Sequence, residues 1–139
     1  MAAAAVHVGL LPKTQKPSKQ VLLSLPYFDT QKSDDHGILQ FVGNCGEDLV
    51  FSVGMETEAD HVIKALKNLF ALANEDMGQV KFIKTMPVVN RWMKMGGVAS
   101  RVFGLKGIGR PLVTYGLSLA FADIVQLVDE VSSGSEREI

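Results

Sequence analysis

The chain has no acidic residue between Met77 and Ala122. Residues 20–76, by contrast, carry ten acidic and only three basic side chains, a net charge of −7. The overall charge of −1 at pH 7 therefore conceals an electropositive block beside an acidic one. This segregation predicts contact with something negatively charged. The acid-free stretch holds seven basic residues, half of those in the sequence: Lys81, Lys84, Arg91, Lys94, Arg101, Lys106 and Arg110.

Cysteine is almost absent, because Cys45 is the single one in the sequence. One cysteine excludes an internal disulfide and any zinc or iron–sulfur site built from several cysteines, and it is compatible with a reducing compartment. His36 follows Asp34 and Asp35, but one histidine beside two carboxylates is better explained as a solvated turn than as a metal site. We expect neither a metal nor a cofactor.

Residues arranged for catalysis are scarce as well. Cys45 has no evident base near it in the sequence, and no serine occurs in a nucleophile-elbow context. No pair of carboxylates stands out for acid–base chemistry. His61 falls on the polar face of a predicted helix, where we expect it to be exposed. The sequence therefore favours a non-catalytic protein.

The sequence predicts neither a membrane span nor a secretory signal. The apolar stretch from Pro111 to Ala122 reaches only twelve residues before Asp123, whereas a membrane span needs roughly 20. No basic residue precedes the apolar N-terminal stretch, which is the wrong order for a secretory signal. We expect a protein of the cytoplasm or of a particle, with this stretch as a core helix. The mean hydropathy of +0.17 is high for a small soluble monomer and predicts apolar surface for subunit contacts.

The length of 139 residues fits one domain. Residues 1–20 read as an extended N-terminal arm, because the segment 12–19 contains two prolines and three lysines. Residues 21–131 are predicted to form a single α+β domain, and residues 132–139 a polar tail. The basic arm could reach across a neighbouring subunit.

Strands are predicted over about 21–55. Residues 21–25 form a short apolar run that ends at Pro26. The runs 37–42 and 48–53 flank Gly43-Asn44-Cys45-Gly46, whose composition is that of a turn, so we expect an antiparallel β-hairpin.

A helix is predicted over about 58–73. Its apolar residues recur at helical spacing, Thr57 is a good N-cap, and Asp60 precedes Lys64 by four residues, a favourable charged pair. The fold class is therefore α+β, with the hairpin region followed by a mainly helical C-terminal part.

Regular secondary structure in the basic segment 77–110 is predicted to be interrupted by Pro87, by Gly96-Gly97 and by a glycine-rich loop over 104–109. A last helix is predicted over about 110–131, with Pro111 in its first turn.

The seven basic residues are the candidate binding site for nucleic acid or another anion. Trp92 and Phe103 could stack on bases, although aromatic residues are more often core. Gly104, Gly107 and Gly109 could form an anion nest beside Lys106 and Arg110, but their spacing matches no nucleotide-binding motif, and a linker explains the same glycines. The cations could equally pair within the protein or between copies, or be solvated.

These features predict a structural or assembly subunit, such as part of a ribonucleoprotein or a virion, whose basic face over 79–110 binds a nucleic-acid (RNA or DNA) backbone or an acidic partner. A first alternative is self-assembly, with the acidic block 20–76 of one copy against the basic block 77–122 of the next. A second is a membrane-peripheral accessory subunit, with 98–122 against anionic lipid. The expected partners are other protein subunits, then RNA or DNA, and lastly a membrane.

Overall fold

A β-hairpin near the N-terminus followed by mostly helical structure makes up the fold, which confirms the predicted α+β class. A computed structural model describes residues 1–28, 37–55, 58–101 and 106–134. Two short 3-10 turns, Met77–Gln79 and Met86–Val88, precede the last two helices. The elements are α1 (Ala2–His7), α2 (Lys19–Ser24), β1 (Gln40–Cys45), β2 (Asp48–Ser52), α3 (Ala59–Leu72), α4 (Arg91–Arg101) and α5 (Lys106–Ser132).

The N-terminal segment is part of the core, so the prediction of an extended arm over residues 1–20 was wrong. Residues 2–7 are helical, because four successive alanines strongly favour a helix and carry no side-chain entropy cost. Ala2, Ala5 and Val6 share one helical face and are buried, and Leu11 is buried after them. The first part of the predicted arm, up to Leu11, is thus folded against the rest of the protein.

The run 21–25 is helical, not a strand. Ser18 caps α2 by accepting a hydrogen bond at its Oγ from the Val21 N–H at 3.3 Å. Leu22 and Leu25 are buried three residues apart, which is the spacing of a helical face. A short continuous apolar run has no periodicity of its own, so it cannot separate a strand from a helix.

The predicted hairpin is confirmed. β1 and β2 are antiparallel, Phe41 lies opposite Phe51, and an irregularity in the register falls between Phe41 and Gly43. The connection is shorter than the predicted turn over 43–46, since Cys45 already pairs with Asp48. Gly46 has a φ of +63°, a left-handed conformation that glycine adopts without a steric penalty.

The last helix, α5, supplies the main stripe of the core. It begins at Lys106, earlier than predicted, so Pro111 is an internal residue of the helix and not part of its first turn. Because proline lacks an N–H, this position leaves one intrahelical hydrogen bond unmade close to the helix start. The stripe packs against the buried residues of α1, α2 and Leu11, and its members are Leu117, Ala120, Phe121, Ile124 and Val128.

α5 also satisfies the length and composition of a membrane span. Within Gly109–Ser132, an 18-residue window has a mean hydropathy of 1.5, and 39% of that window is buried inside the protein. The core helix of a soluble protein can have the same properties, so this single helix is weak evidence for a membrane.

The predicted helix over 58–73 is confirmed as α3, but it contributes no buried residue. Its Asp60 is paired with Lys84 in the loop before α4, and not with Lys64 on the next turn as predicted. The predicted cap Thr57 lies outside the described residues.

α4 is continuous through Gly96 and Gly97, where the sequence predicted a break. A Cβ on Gly96 would lie 2.7 Å from the backbone nitrogen of Val113 and 2.8 Å from the carbonyl oxygen of Gly109. Gly96 therefore permits the close approach of α5 to α4, which outweighs its low helix propensity.

Candidate binding surface

The orientation of α4 is fixed at its N-terminus by Asn90. The Oδ1 of Asn90 accepts a hydrogen bond from the Met93 N–H at 3.1 Å, which is the geometry of an N-cap. Its Nδ2 donates to the carbonyl oxygen of Gly116 on α5 at 2.7 Å. One side chain thus both starts α4 and attaches it to α5.

Gly116 is a second position at which α4 and α5 approach each other closely. A Cβ at this position would lie 2.8 Å from the Met93 backbone nitrogen and from the Asn90 Oδ1. The contact faces of α4 and α5 are therefore too close for larger side chains at Gly96 and Gly116. The opposite face of α4 is left pointing away from α5.

Trp92 lies at the margin of this helix pair. Its ring meets Tyr115 of α5 edge to face, with centroids 5.9 Å apart and an interplanar angle of 80°. The guanidinium carbon of Arg91 lies 5.6 Å from the centre of the same indole, within cation–π distance. The ring is half-buried and held by neighbours from the protein itself, while its predicted stacking on bases stays a prediction.

The outward side of α4 combines positive charge with exposed apolar groups. Arg91, Lys94 and Val98 are spaced by three and seven residues and so share a face with Met95. Met95 is 55% exposed and Val98 is 51% exposed. Lys94, Met95, Val98 and Ala99 line a shallow depression of about 370 Å³. We call Arg91, Lys94, Met95 and Val98 the α4 face.

The other predicted cations have different surroundings. Lys84 is three-quarters buried and forms an ion pair with Asp60, and this pair, by hydrogen bonding and charge, holds the pKa of the Asp60 carboxyl below its usual value. Arg110 is half-buried, with its Nε atom enclosed, whereas Lys81 is exposed. Arg101 and Lys106 lie in helices, and their side chains are outside the described part of the structure.

The proposed glycine nest is not a loop at the residues that are described. Gly107 and Gly109 belong to the first turn of α5, and Gly109 is buried. Gly104 and Phe103 lie outside the described residues. The helical conformation of Gly107 and Gly109 replaces the predicted loop there.

Sequence reasoning missed a second exposed apolar surface, on the hairpin. Phe41 and Phe51 are cross-strand neighbours with ring centroids 5.5 Å apart, and they are 48% and 46% exposed. Leu49, two residues before Phe51 in β2, is exposed on the same side, and Leu39, directly before β1, is exposed as well. We call these four side chains the hairpin face. No clean alternation in the sequence marked this face, because Val42 and Val50 beside these residues are apolar as well.

One basic residue of the N-terminal segment, Lys13, forms an ion pair within the chain. The Lys13 Nζ lies 2.6 Å from the Asp129 Oδ1 of α5, so this lysine fastens the segment to the last helix. A shallow groove of about 790 Å³ beside this pair is lined by Lys16, Gln126 and Glu130, among others. Both signs of charge occur in the groove, so it favours no simple anion or cation.

A family model described as "Protein of unknown function (DUF3189)" matches residues 1–133. The chain belongs to this family. No curated protein matches, and no solved structure matches. The matched region includes every described helix and strand, and hence both the α4 face and the hairpin face of this member of the family.

The residues considered for metal binding or nucleophilic chemistry are dispersed. Within the described ranges there is no group of three or more His, Cys, Asp or Glu side chains able to hold a metal ion. Cys45 is a half-buried free thiol at the end of β1. His61 is exposed, as predicted, and its Nδ1 lies 3.0 Å from the Glu58 Oε2. His36, Asp34 and Asp35 are outside the described residues.

Proposed function

We propose that this protein is a non-catalytic assembly subunit whose α4 face binds an acidic, partly apolar surface of a partner protein. The observation that carries the proposal is the exposure of Met95 and Val98 beside Arg91 and Lys94 on one side of a rigidly held helix. Protein interfaces are enriched in methionine and arginine and bury apolar groups at their centre, with polar groups around them. The α4 face has this composition.

A protein partner agrees better with this surface than a nucleic-acid backbone does. Binding of phosphates depends on the number of cations that reach them. Lys84 is already paired with Asp60, and Arg110 is half-buried in the packing of α5. The two cations of the α4 face are interspersed with apolar side chains that phosphates would leave exposed. Burial of Met95 and Val98 would instead add to the binding energy, at about 25 cal/mol per Å² of apolar surface.

The proposal includes a location in the cytoplasm or within a particle. α5 is a long apolar helix, and it uses Leu117, Phe121 and Ile124 to contact α1 and α2. Asp123 and Asp129 interrupt its other sides with charge. This use of α5 supports a core helix over an anchor in a lipid bilayer.

Fluorescence anisotropy with three labelled probes tests the proposed function. The probes are a peptide of alternating Glu and Leu, a poly-glutamate peptide of the same length, and a single-stranded RNA, each titrated between about 50 and 200 mM salt. We expect the Glu/Leu peptide to bind most tightly. Val98→Ser should weaken its binding about tenfold, since a valine loses its burial, and Lys94→Glu should weaken it further.

The matched control for charge is Lys67→Glu on α3, which changes the net charge equally but lies away from the α4 face. It should leave the affinity for the Glu/Leu peptide unchanged within about twofold, because exposed charges beyond a Debye length are screened. Equal binding of poly-glutamate, or binding of RNA that ignores Val98→Ser, would replace the proposal by simple anion binding. Absence of binding to all three probes would refute it.

A further inference from the structure

The hairpin face has the composition that the α4 face requires in a partner. Its Leu39, Phe41, Leu49 and Phe51 form an exposed apolar strip across two strands. Glu47 and Asp48 lie at the turn that ends the strip, and both are exposed. One end of the hairpin is therefore acidic, and the apolar strip leads directly away from it.

The two surfaces complement each other in charge and in the placement of their apolar side chains. Arg91 and Lys94 of the α4 face would meet Glu47 and Asp48, whereas Met95 and Val98 would meet the aromatic strip. Opposite charges at the edge of an apolar contact steer association and fix its register. Thioether side chains also make favourable contacts with aromatic rings, and Met95 is placed to provide one.

Each surface is held outward by packing on its other side. Val42 is buried behind the hairpin face, and Gly43 approaches Val8, so that a Cβ on Gly43 would lie 3.3 Å from the valine methyl groups. The inner side of α4 is occupied by α5 at Gly96 and Gly116. Both surfaces are thus exposed at the same time on one molecule.

We propose that the hairpin face of one copy docks on the α4 face of a second copy. This inference rests on the proposed function and names its partner as the protein itself. The contact is heterologous, because two different surfaces meet, so an open complex has one free surface of each kind, at its two opposite ends. Repetition of the contact builds a closed ring or an open filament.

Sedimentation velocity over a range of protein concentrations and salt concentrations tests the proposal. Wild type should associate as its concentration rises, and added salt should weaken the association. Phe51→Lys should abolish association by placing a charged side chain against the apolar Met95 and Val98. Val98→Lys should abolish it by placing a charged side chain against the aromatic strip. Leu72→Lys, at an exposed position of α3, is the matched control and should behave as wild type.

A mixture of the two inactive variants gives the decisive measurement. The Phe51→Lys copy retains an intact α4 face, and the Val98→Lys copy retains an intact hairpin face. The mixture should therefore form a 1:1 dimer and nothing larger. Far-UV circular dichroism checks the fold of each variant, and Asp48→Lys supplies a milder hairpin variant in which the aromatic pair is untouched.

Three results would overturn the inference. The first is a wild type that stays monomeric across all salt and protein concentrations. The second is association that persists in both variants, and the third is a mixture that forms no dimer, as expected if like faces pair in a symmetric contact. If wild type is monomeric but the Glu/Leu peptide still binds in a Val98-dependent way, the proposed function stands and the self-contact is wrong. If no peptide binds either, both are wrong.

Discussion

The side-chain amide of Asn90 donates to the carbonyl oxygen of Gly116 at 2.7 Å. This hydrogen bond attaches the residue that caps α4 to the interior of α5. The Oδ1 of the same amide caps α4 by accepting from the Met93 N–H. The α4 face depends on this residue for its position, although Asn90 itself lies on the inner side. Replacement of Asn90 should therefore lower both the stability of the protein and the affinity of the α4 face for its partner.

Asn90→Ala should lower the free energy of unfolding by about 1–2 kcal/mol, because it removes the cap and the interhelical hydrogen bond together. Asn90→Ser keeps a capping oxygen, so its free energy of unfolding should fall by less than that of Asn90→Ala. Urea unfolding followed by circular dichroism measures both. Asn68→Ala on the exposed surface of α3 is the control, and an equal loss there would show that Asn90 has no special role.

Gly96→Ala should destabilise the protein by about 1–3 kcal/mol, although alanine is the better helix former by about 1 kcal/mol. The reason is that the new Cβ would lie 2.7 Å from the Val113 backbone nitrogen, which cannot yield without moving α5. Thermal unfolding measures the effect. In the control Gly78→Ala the nearest atom is the Asp76 Oδ1 at 3.1 Å, the end of a flexible side chain, so little loss is expected. Equal stability of Gly96→Ala and wild type would contradict the close helix approach.

Elements with a strong local pattern were predictable from the sequence. α3 has regular apolar spacing, and the hairpin has two apolar runs around glycines, so both were found near their observed bounds. The break predicted at Gly96-Gly97 failed because glycine has two uses. In isolation it weakens a helix, whereas between helices it allows close contact, and only the tertiary structure separates these cases.

The candidate site was predictable in charge but not in arrangement. The acid-free block named Arg91 and Lys94 as candidates, and the structure has both side chains exposed on α4. Nothing local, however, indicated that Lys84 pairs with Asp60, because 24 residues separate them. The side of α4 that faces outward was equally hidden, since it is set by where α5 packs. Long-range contacts of this kind are absent from any local pattern.

The N-terminal segment offers a direct test of the corrected fold. Leu11→Ala should lower the free energy of unfolding by about 2–5 kcal/mol, since Leu11 is only 1% exposed in the core beside α5. Leu10→Ala is the matched control. Leu10 is 48% exposed, so Leu10→Ala should lower the free energy of unfolding by no more than about 0.5 kcal/mol. Equal effects in urea unfolding would favour the extended arm that the sequence first indicated.

The pair of Asp60 and Lys84 predicts a pH effect whose sign is determined by the structure. Lys84 lowers the pKa of Asp60 through its hydrogen bond and its charge, so the folded protein holds the proton of Asp60 less tightly than the unfolded chain does. The stabilising contribution is therefore present above the pKa of the unfolded carboxyl and is lost as the pH falls through the lowered pKa of the folded state. Lys84→Met should raise the pKa of Asp60, as measured by NMR titration of its side-chain carboxyl.

Lys64→Met is the control that separates the structure from the local sequence pattern. Lys64 lies four residues after Asp60 on α3 and was the partner that helical spacing predicted. In the structure Asp60 pairs with Lys84, so Lys64→Met should change the pKa of Asp60 much less than Lys84→Met does. A larger change for Lys64→Met would show that Asp60 pairs with Lys64 within α3 and not with Lys84. It would also release Lys84 as a further cation available to the α4 face, which would strengthen the case for simple anion binding.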